Sequence, residues 1–286
     1  MTTTGMPRHR LTDAQWELIG DLFPTNNFKT GRRPRDRRLM LDAIFWVLRT
    51  GAPWRDLPEC FGPWSTAWDF FDKWTKDETF DRVLRRLRSI AVPHDADPSE
   101  LWCIDGTSIR AARCSSGGGK KIRSAGASGS RSGGAPRGWG TKIHILCDVE
   151  GHPLHFELSA GQAHDGPMLA PVLQGADEAL HDDRGVVMEW PLALAGDKGY
   201  RAEWIDRYLL ALGITPVIPT KHNETRALRP VAFNKRLYRR RSIVECLIGW
   251  LKESRRVVTR FEKTAINFGG MVRLAFIHRY LRIFGA

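Results

Sequence analysis

Long apolar runs are missing from this 286-residue chain. No stretch approaches the ~20 apolar residues that span a bilayer, and the opening MTTTGMPRHRLTD lacks the apolar core of a secretory signal. A cytoplasmic location is therefore expected. Cysteine is scarce and scattered: Cys60, Cys103, Cys114, Cys147 and Cys246 are odd in number and contain no C-x-x-C pair. That pattern argues against a disulfide framework and a zinc knuckle, and it predicts reduced, mostly buried thiols. His144 and Cys147 come nearest to a metal spacing, but on an alternating strand they face opposite sides. A nucleotide-binding P-loop is also absent, because Cys114 stands where the upstream glycine of Gly119-Lys120 belongs and Lys121 where Ser or Thr belongs. Acidic residues fall short of basic ones, 32 against 44, which leaves a net charge of +12 and a pI near 9.9. A surplus of that sign favours a polyanion such as nucleic acid, because neutralised phosphates release condensed counterions. On composition alone, a basic enzyme with solvated Lys and Arg stays open as the alternative.

What the chain does have is 42% hydrophobic residues and 11 tryptophans, enough for packed cores without disulfides. Its length suits two domains. Residues 1–92 read as a small all-α domain with six tryptophans (Trp16, Trp46, Trp54, Trp64, Trp68, Trp74) supplying bulk to a thin core. Thr12 and Gln15 form a capping box before TDAQWELIGDLF, which Pro24 ends. A second helix, DRRLMLDAIFWVLRT, stops at Gly51. APWRDLPECFGPWSTAWDFFDKW then reads as a short helix, a turn at Gly62-Pro63 and a longer helix capped by Ser65, a helix-turn-helix-like pattern suited to a DNA groove. The basic run at 29–38, with Arg32, Arg33 and Arg35, is placed to track a phosphate backbone.

Residues 93–98 read as a linker, and 93–286 as a second, α/β domain. LWCIDGTSIRA, TKIHILCDVEG and PLHFELSAG are three strands, the last two a hairpin; a Gly/Ser-rich basic tract at 115–140 is expected to be mobile. Helix, strand, helix, strand and helix follow, so a mixed sheet covered by helices is expected. Asp105 falls near the end of the first strand and Asp197 at the carboxyl end of a later one, where open α/β sheets place function. One long helix is expected at about 235–261. At about 100° per residue, Tyr238, Arg241, Glu245, Lys252 and Arg256 share a stripe, while Ile243, Val244, Leu247, Ile248 and Leu251 take the opposite side. Three converging carboxylates, Asp105, Asp197 and Glu245, suit Mg²⁺ and a two-ion in-line phosphoryl displacement with no protein nucleophile. His164 and Asp165 of GQAHD read more simply as turn-forming or solvated, and His144 and His155 as structural.

The segment YRRRSIVECLIGWLK carries Tyr, two residues, Arg, three residues, Glu, six residues, Lys, in register at Tyr238, Arg241, Glu245 and Lys252. This resembles the signature of insertion-sequence transposases. IDGT around Asp105, RGWGTKIH, GQAHD, GDKGY around Asp197 and the N-terminal GRRPRDRRLMLDAIFWVLRTGAPWRDLPECFGPWST resemble the insertion-sequence-five family along nearly the whole chain. The resemblance implies a ribonuclease-H-like catalytic domain with a DDE triad (Asp105, Asp197, Glu245), Mg²⁺ or Mn²⁺, and a homodimer or higher oligomer acting on terminal inverted repeats and target DNA in a prokaryotic nucleoid. It also implies DNA-handling roles for Tyr238, Arg241 and Lys252; Arg256 shares their stripe. Arg201 replaces a common acidic residue after GDKGY. The rivals are a DNA-binding regulator that has lost the chemistry and a nuclease that cuts without joining.

Overall fold

The computed structural model describes residues 10–24, 35–91, 100–118, 140–180, 189–222, 224 and 229–285. The expected linker at 93–98, the 119–139 part of the Gly/Ser-rich tract, Arg32 and Arg33 lie outside the described residues. In chain order the elements are α1 (Asp13–Ile19), α2 (Arg37–Thr50), α3 (Trp64–Lys76), α4 (Thr79–Ala91), β1 (Trp102–Ala111), β2 (Gly140–Cys147) and β3 (Pro153–Ala160). They continue as α5 (Leu169–Ala179), β4 (Ala193–Ala195), α6 (Glu203–Ala211), β5 (Thr215–Val217), α7 (Lys235–Arg240), α8 (Ser242–Lys252), α9 (Arg255–Val258), β6 (Thr259–Arg260) and α10 (Ala265–Phe284).

Local chemistry sets these boundaries. Thr12 and Gln15 close the expected reciprocal capping box on α1. The Asp36 side chain accepts from the Arg38 amide to open α2, and Gly51 ends it in the left-handed conformation at φ 69°. Helix α3 begins at Trp64 behind Pro63 with no side-chain cap, so Ser65 lies inside the helix rather than capping it. The short helix expected before it is two 3₁₀ turns, Trp54–Asp56 and Glu59–Phe61, because Pro58 has no amide with which to continue a helical ladder.

Contacts divide the chain into two compact units. The first joins the described residues up to Leu87, those at 111–118 and those from Leu251 onward, so the helix at 265–284 packs with the N-terminal helices although the sequence suggests one domain over 93–286. The reason is visible along α10, where Phe268, Met271, Leu274, Phe276, Ile277 and Leu281 are buried. Gly270 permits the closest approach, since a Cβ there would stand 2.5 Å from Thr75 Oγ1 and 2.9 Å from its Cγ2. Gln15 Nε2 donates to the Leu281 carbonyl at 2.9 Å, and Arg273 pairs with Asp81 at 2.6 Å. Phenylalanines do more of the core work than the tryptophans. Phe23 meets Trp74 edge-on at 4.7 Å, whereas Trp64 and Trp68 are exposed.

The second unit is built on a sheet with the path β3-β2-β1-β4-β5. β1 pairs antiparallel with β2, and β2 with β3; β4 runs parallel to β1 and β5 parallel to β4. Three antiparallel strands followed by two parallel ones through helical crossovers form a ribonuclease-H-like mixed sheet. Trp102, Ile104 and Leu146 share one face with Leu169, Val172 and Leu173 of α5 and Ile205 of α6 in a single apolar cluster. Each such aliphatic side chain contributes about 1.5 to 3 kcal/mol by leaving water. Gly175 lets α5 lie close on β3, its missing Cβ leaving room for His155 Nε2 at 2.4 Å.

Three expectations change. Asp105 is the fourth residue of a ten-residue strand, not near its end. The long helix is broken into α7, α8 and α9; at the first break the Arg241 amide bonds to Tyr238 O and the Val244 amide to Arg241 O, three-residue steps that tighten the turn. Of the five thiols, all free, only Cys103 and Cys147 are buried, because the other three lie outside the sheet.

Candidate active centre

Alternation along β1 turns Asp105 to the face opposite Trp102 and Ile104. Its Oδ1 accepts from the Gly106 amide at 2.8 Å. Burial pushes the carboxyl above its ordinary range; the Gly106 amide and Arg241 pull it down, and the negative charge of Asp197 pushes it up again. Asp197 follows β4 at the start of the 3₁₀ turn Lys198–Tyr200, where its Oδ1 accepts from the Gly199 amide at 2.8 Å. Strand β4 thus delivers Asp197 from beside β1, its Ala195 paired with Cys103.

The third acid comes from α8. Val244, Leu247, Ile248 and Leu251 bury one side of that helix, and Glu245 stays 54% exposed on the other. Arg241, in the bend between α7 and α8, donates to Asp105 Oδ2 at 3.2 Å and also to Glu245. Its guanidinium lies over the Tyr238 ring at 5.6 Å, and that ring packs on Phe233 at 5.2 Å. The bend preserves the expected neighbourhood of Tyr238, Arg241 and Glu245 even though the helix is not continuous.

The remaining predicted residues fare differently. Lys252 ends α8 and is exposed, seven residues and about 10 Å along the axis from Glu245. Arg256 is corrected: it lies on α9 with 6% exposure, bonded to Glu262 at 2.7 Å and to Ala52 O at 3.2 Å, over the Phe261 ring. A guanidinium so engaged helps to hold the fold. In the basic run, Arg37 bonds to the Gly20 and Phe23 carbonyls and Arg38 to Asp13 and Leu11, whereas Arg35 lies against Gly62. Arg201 is buried between Asp206 at 3.0 Å and Glu224 at 2.8 Å, and Arg229 also binds Asp206, which makes the departure after GDKGY a local ion network.

Lys142, which the sequence reading passed over, meets Asp165 and His144, which read from sequence as turn-forming or solvated and as structural, beside Gly106 and Gly199. Lys142 of β2 pairs with Asp165, 2.6 Å from Oδ1 and 2.7 Å from Oδ2, with side-chain exposures of 14% and 20%. Buried His144 bonds Ser159 at 2.8 Å and lies 3.4 Å from both Asp165 and Tyr200. The available signal was the alternation that puts Lys142 and His144 on one face of β2.

Oxygen donors and concentrated negative charge make Asp105, Asp197 and Glu245 a suitable set for a hard divalent cation. The structure already answers two of them with a guanidinium. Among the described residues, the one group of three possible ligands whose donor atoms all lie within 4.8 Å is Asp148, Glu150 and His152. There Asp148 is the capping acid of the β2–β3 turn, accepting from the Glu150 and His152 amides at 3.0 and 2.8 Å and facing His152 Nδ1 at 2.7 Å. Its oxygens are spent on that turn.

Comparison with known proteins adds an independent finding. Residues 97–278 match the family model "Transposase DDE domain", and residues 11–84 match "Putative transposase of IS4/5 family". Among curated relatives, the chain is 31% identical over 142 residues to "Putative transposase for insertion sequence element IS6501" of Brucella ovis, covering 50% of this chain and 98% of that one. It is 31% identical over 135 residues to "Putative transposase for insertion sequence element IS402" of Burkholderia cepacia, covering 47% and 60%. Among solved structures, a piggyBac transposase synaptic complex with hairpin DNA aligns over 96% of this chain and 74% of that one, at 12% identity and a TM-score of 0.41.

Proposed function

The chain belongs to the DDE transposase family, and from that premise we propose that Asp105, Asp197 and Glu245 are the triad that holds its divalent metal while it cuts and joins DNA at element ends. As a DDE transposase it is a polynucleotidyl transferase acting on DNA with divalent metal. The observation that carries the triad is the convergence of Asp105 from β1 and Glu245 from α8 on one guanidinium, with Asp197 near enough to raise Asp105. The family match spans the catalytic domain and all three acids are present, which favours the enzyme over a regulator without chemistry.

Mg²⁺ or Mn²⁺, two ions in our reading, supplies charge stabilisation for the attacking and leaving oxygens of an in-line displacement. The chain's own part is positional. Asp105, Asp197 and Glu245 would hold the ions through their carboxylate oxygens. Arg241, steadied by Tyr238, binds a phosphate oxygen beside them, since a guanidinium fits phosphate with two parallel donors. Lys252 holds the terminal strand from further along α8. Arg35, with Arg32 and Arg33, follows the backbone near the N-terminal helices, which carry the end-specific contacts. In cleavage water attacks the scissile phosphorus and the element's 3′-hydroxyl leaves; in joining that 3′-hydroxyl attacks a target phosphorus and displaces the target's 3′-hydroxyl. The assembly we propose is a homodimer or higher oligomer on terminal inverted repeats, acting at the nucleoid in the cytoplasm. Among the described residues no helix is long and apolar enough to cross a membrane.

The test uses the full chain on duplexes taken from the DNA flanking its coding sequence, with Mg²⁺. Asp105→Ala, Asp197→Ala and Glu245→Gln are each expected to lower cleavage by ~10² to 10³ or more while duplex binding persists. If Asp197→Ala keeps more than about a tenth of wild-type cleavage, the triad is wrong.

A further inference from the structure

Two glycines flank the triad acids in sequence, Gly106 directly after Asp105 and Gly199 two residues after Asp197. Neither takes the left-handed backbone that favours glycine. Space is the reason for both, and the Asp165 carboxylate borders each. A Cβ on Gly106 would stand 2.3 Å from Asp165 Oδ1 and 2.8 Å from Lys142 Cε. A Cβ on Gly199 would stand 3.1 Å from Asp165 Oδ2 and 2.8 Å from Asp197 Oδ1. Asp165 therefore touches the main chain beside both acids at once.

The carboxylate does not serve the turn in which it sits. Asp165 precedes the 3₁₀ turn Gly166–Met168, yet its side chain makes no capping bond there, and only its carbonyl accepts, from the Met168 amide at 3.0 Å. Its two oxygens are held instead by Lys142. Lys142 sits opposite Ser108, and His144 opposite Gly106, so β2 supplies both groups that back the carboxylate. The pair is half-buried, so the cation and the carboxylate hold each other in place with little water between them.

We propose that Asp165, locked by Lys142, is a positioning residue of the metal-binding centre: its carboxylate is the spacer that sets β1 at Asp105 against the turn at Asp197. It rests on the reading of Asp105 and Asp197 as metal ligands. It also accounts for IDGT, GQAHD and GDKGY as three sides of one contact: two glycines that admit a carboxylate and the aspartate that supplies it. Groups that orient ligands from outside the coordination sphere typically set metal affinity by 10- to 100-fold.

The experiment is Mn²⁺ binding to the full chain without DNA, followed by electron paramagnetic resonance of free Mn²⁺, with melting temperature recorded for each variant. Asp165→Ala is expected to weaken binding at least about tenfold. Asp165→Asn keeps the size and an acceptor for Lys142 and is expected to retain most of it. Gly106→Ala, whose backbone alanine adopts freely, pushes on the same carboxylate and is expected to weaken binding with the fold intact; it decides the matter if Asp165→Ala does not fold. Wild-type affinity in folded Asp165→Ala or Gly106→Ala overturns the spacer, and so does Asp165→Asn binding as weakly as Asp165→Ala, which would make the charge itself the ligand. Asp105→Ala runs alongside: if it binds Mn²⁺ as well as wild type, the fault lies in the triad reading beneath the proposal.

Discussion

Arg241 donates to Asp105 across 136 residues of sequence, and the same guanidinium reaches Glu245 one helical turn away. The cation occupies the place between two carboxylates that a divalent ion is expected to share. Arg241→Ala should therefore lower the melting temperature in metal-free buffer, through the loss of about 1 to 3 kcal/mol of charge-assisted bonding. Added Mn²⁺ should then raise it by more than in wild type, and DNA cleavage should fall ~10²-fold. Equal Mn²⁺-induced shifts in the two proteins would show that guanidinium and metal do not compete.

Acid should weaken the second unit through His144. Burial depresses its pKa to about 4 from the ordinary 6.5, against the pull of Asp165. The unfolded chain thus binds a proton that the folded chain refuses, so stability is complete above pH 6.5 and is lost as pH falls toward 4. The swing is of order 3 kcal/mol. Urea unfolding across that range should show a shallower pH slope in His144→Gln. Identical slopes would place the acid sensitivity elsewhere.

Arg256 and Glu262 give a purely structural prediction. Glu262 is buried, and burial raises its carboxyl against the pull of Arg256. Arg256→Ala should cost about 3 to 5 kcal/mol by stranding that acid. Arg256→Met combined with Glu262→Leu should recover most of it. If Arg256→Ala instead leaves the urea midpoint unchanged and weakens DNA binding, the stripe reading of the sequence was right about this residue.

A fragment of residues 1–92 should not fold stably alone, because α10 completes its core. Supplying residues 251–286 on a linker should restore helical circular dichroism and a cooperative melt. Within the full chain, Gly270→Val should cost about 1 to 3 kcal/mol by forcing α10 away from Thr75. A cooperative melt from the short fragment would count against this account.

Most of the fold was legible where local rules decide it. The Thr12 box, the Gly51 stop and the β2–β3 hairpin all follow from residues within a few positions of each other. The neighbourhood of Glu245 was legible because fixed spacing on a helix survives a bend: Tyr238, Arg241 and Glu245 still meet. Arg256 was misplaced because periodicity alone cannot see a break at Ser254, and the partner that claims it lies six residues further on. Lys142 and Gly106 were overlooked, and Asp165 reads from sequence as turn-forming or solvated, for another reason. Their meeting depends on strand register and on the absence of a side chain, and neither leaves a pattern along the chain.

The burial of α10 among the N-terminal helices also has a consequence for biosynthesis. Helices α1 to α3 are made before α10, which ends at Phe284, and at about 5 to 20 residues per second the wait after Lys76 is roughly 10 to 40 s. Throughout that interval Phe71 and Thr75 lack the α10 surface at Gly270 that closes over them, so the nascent chain is a natural client for holding chaperones. Completion of this unit is thereby timed to the synthesis of α10, after Asp105, Asp197 and Glu245 have already been made.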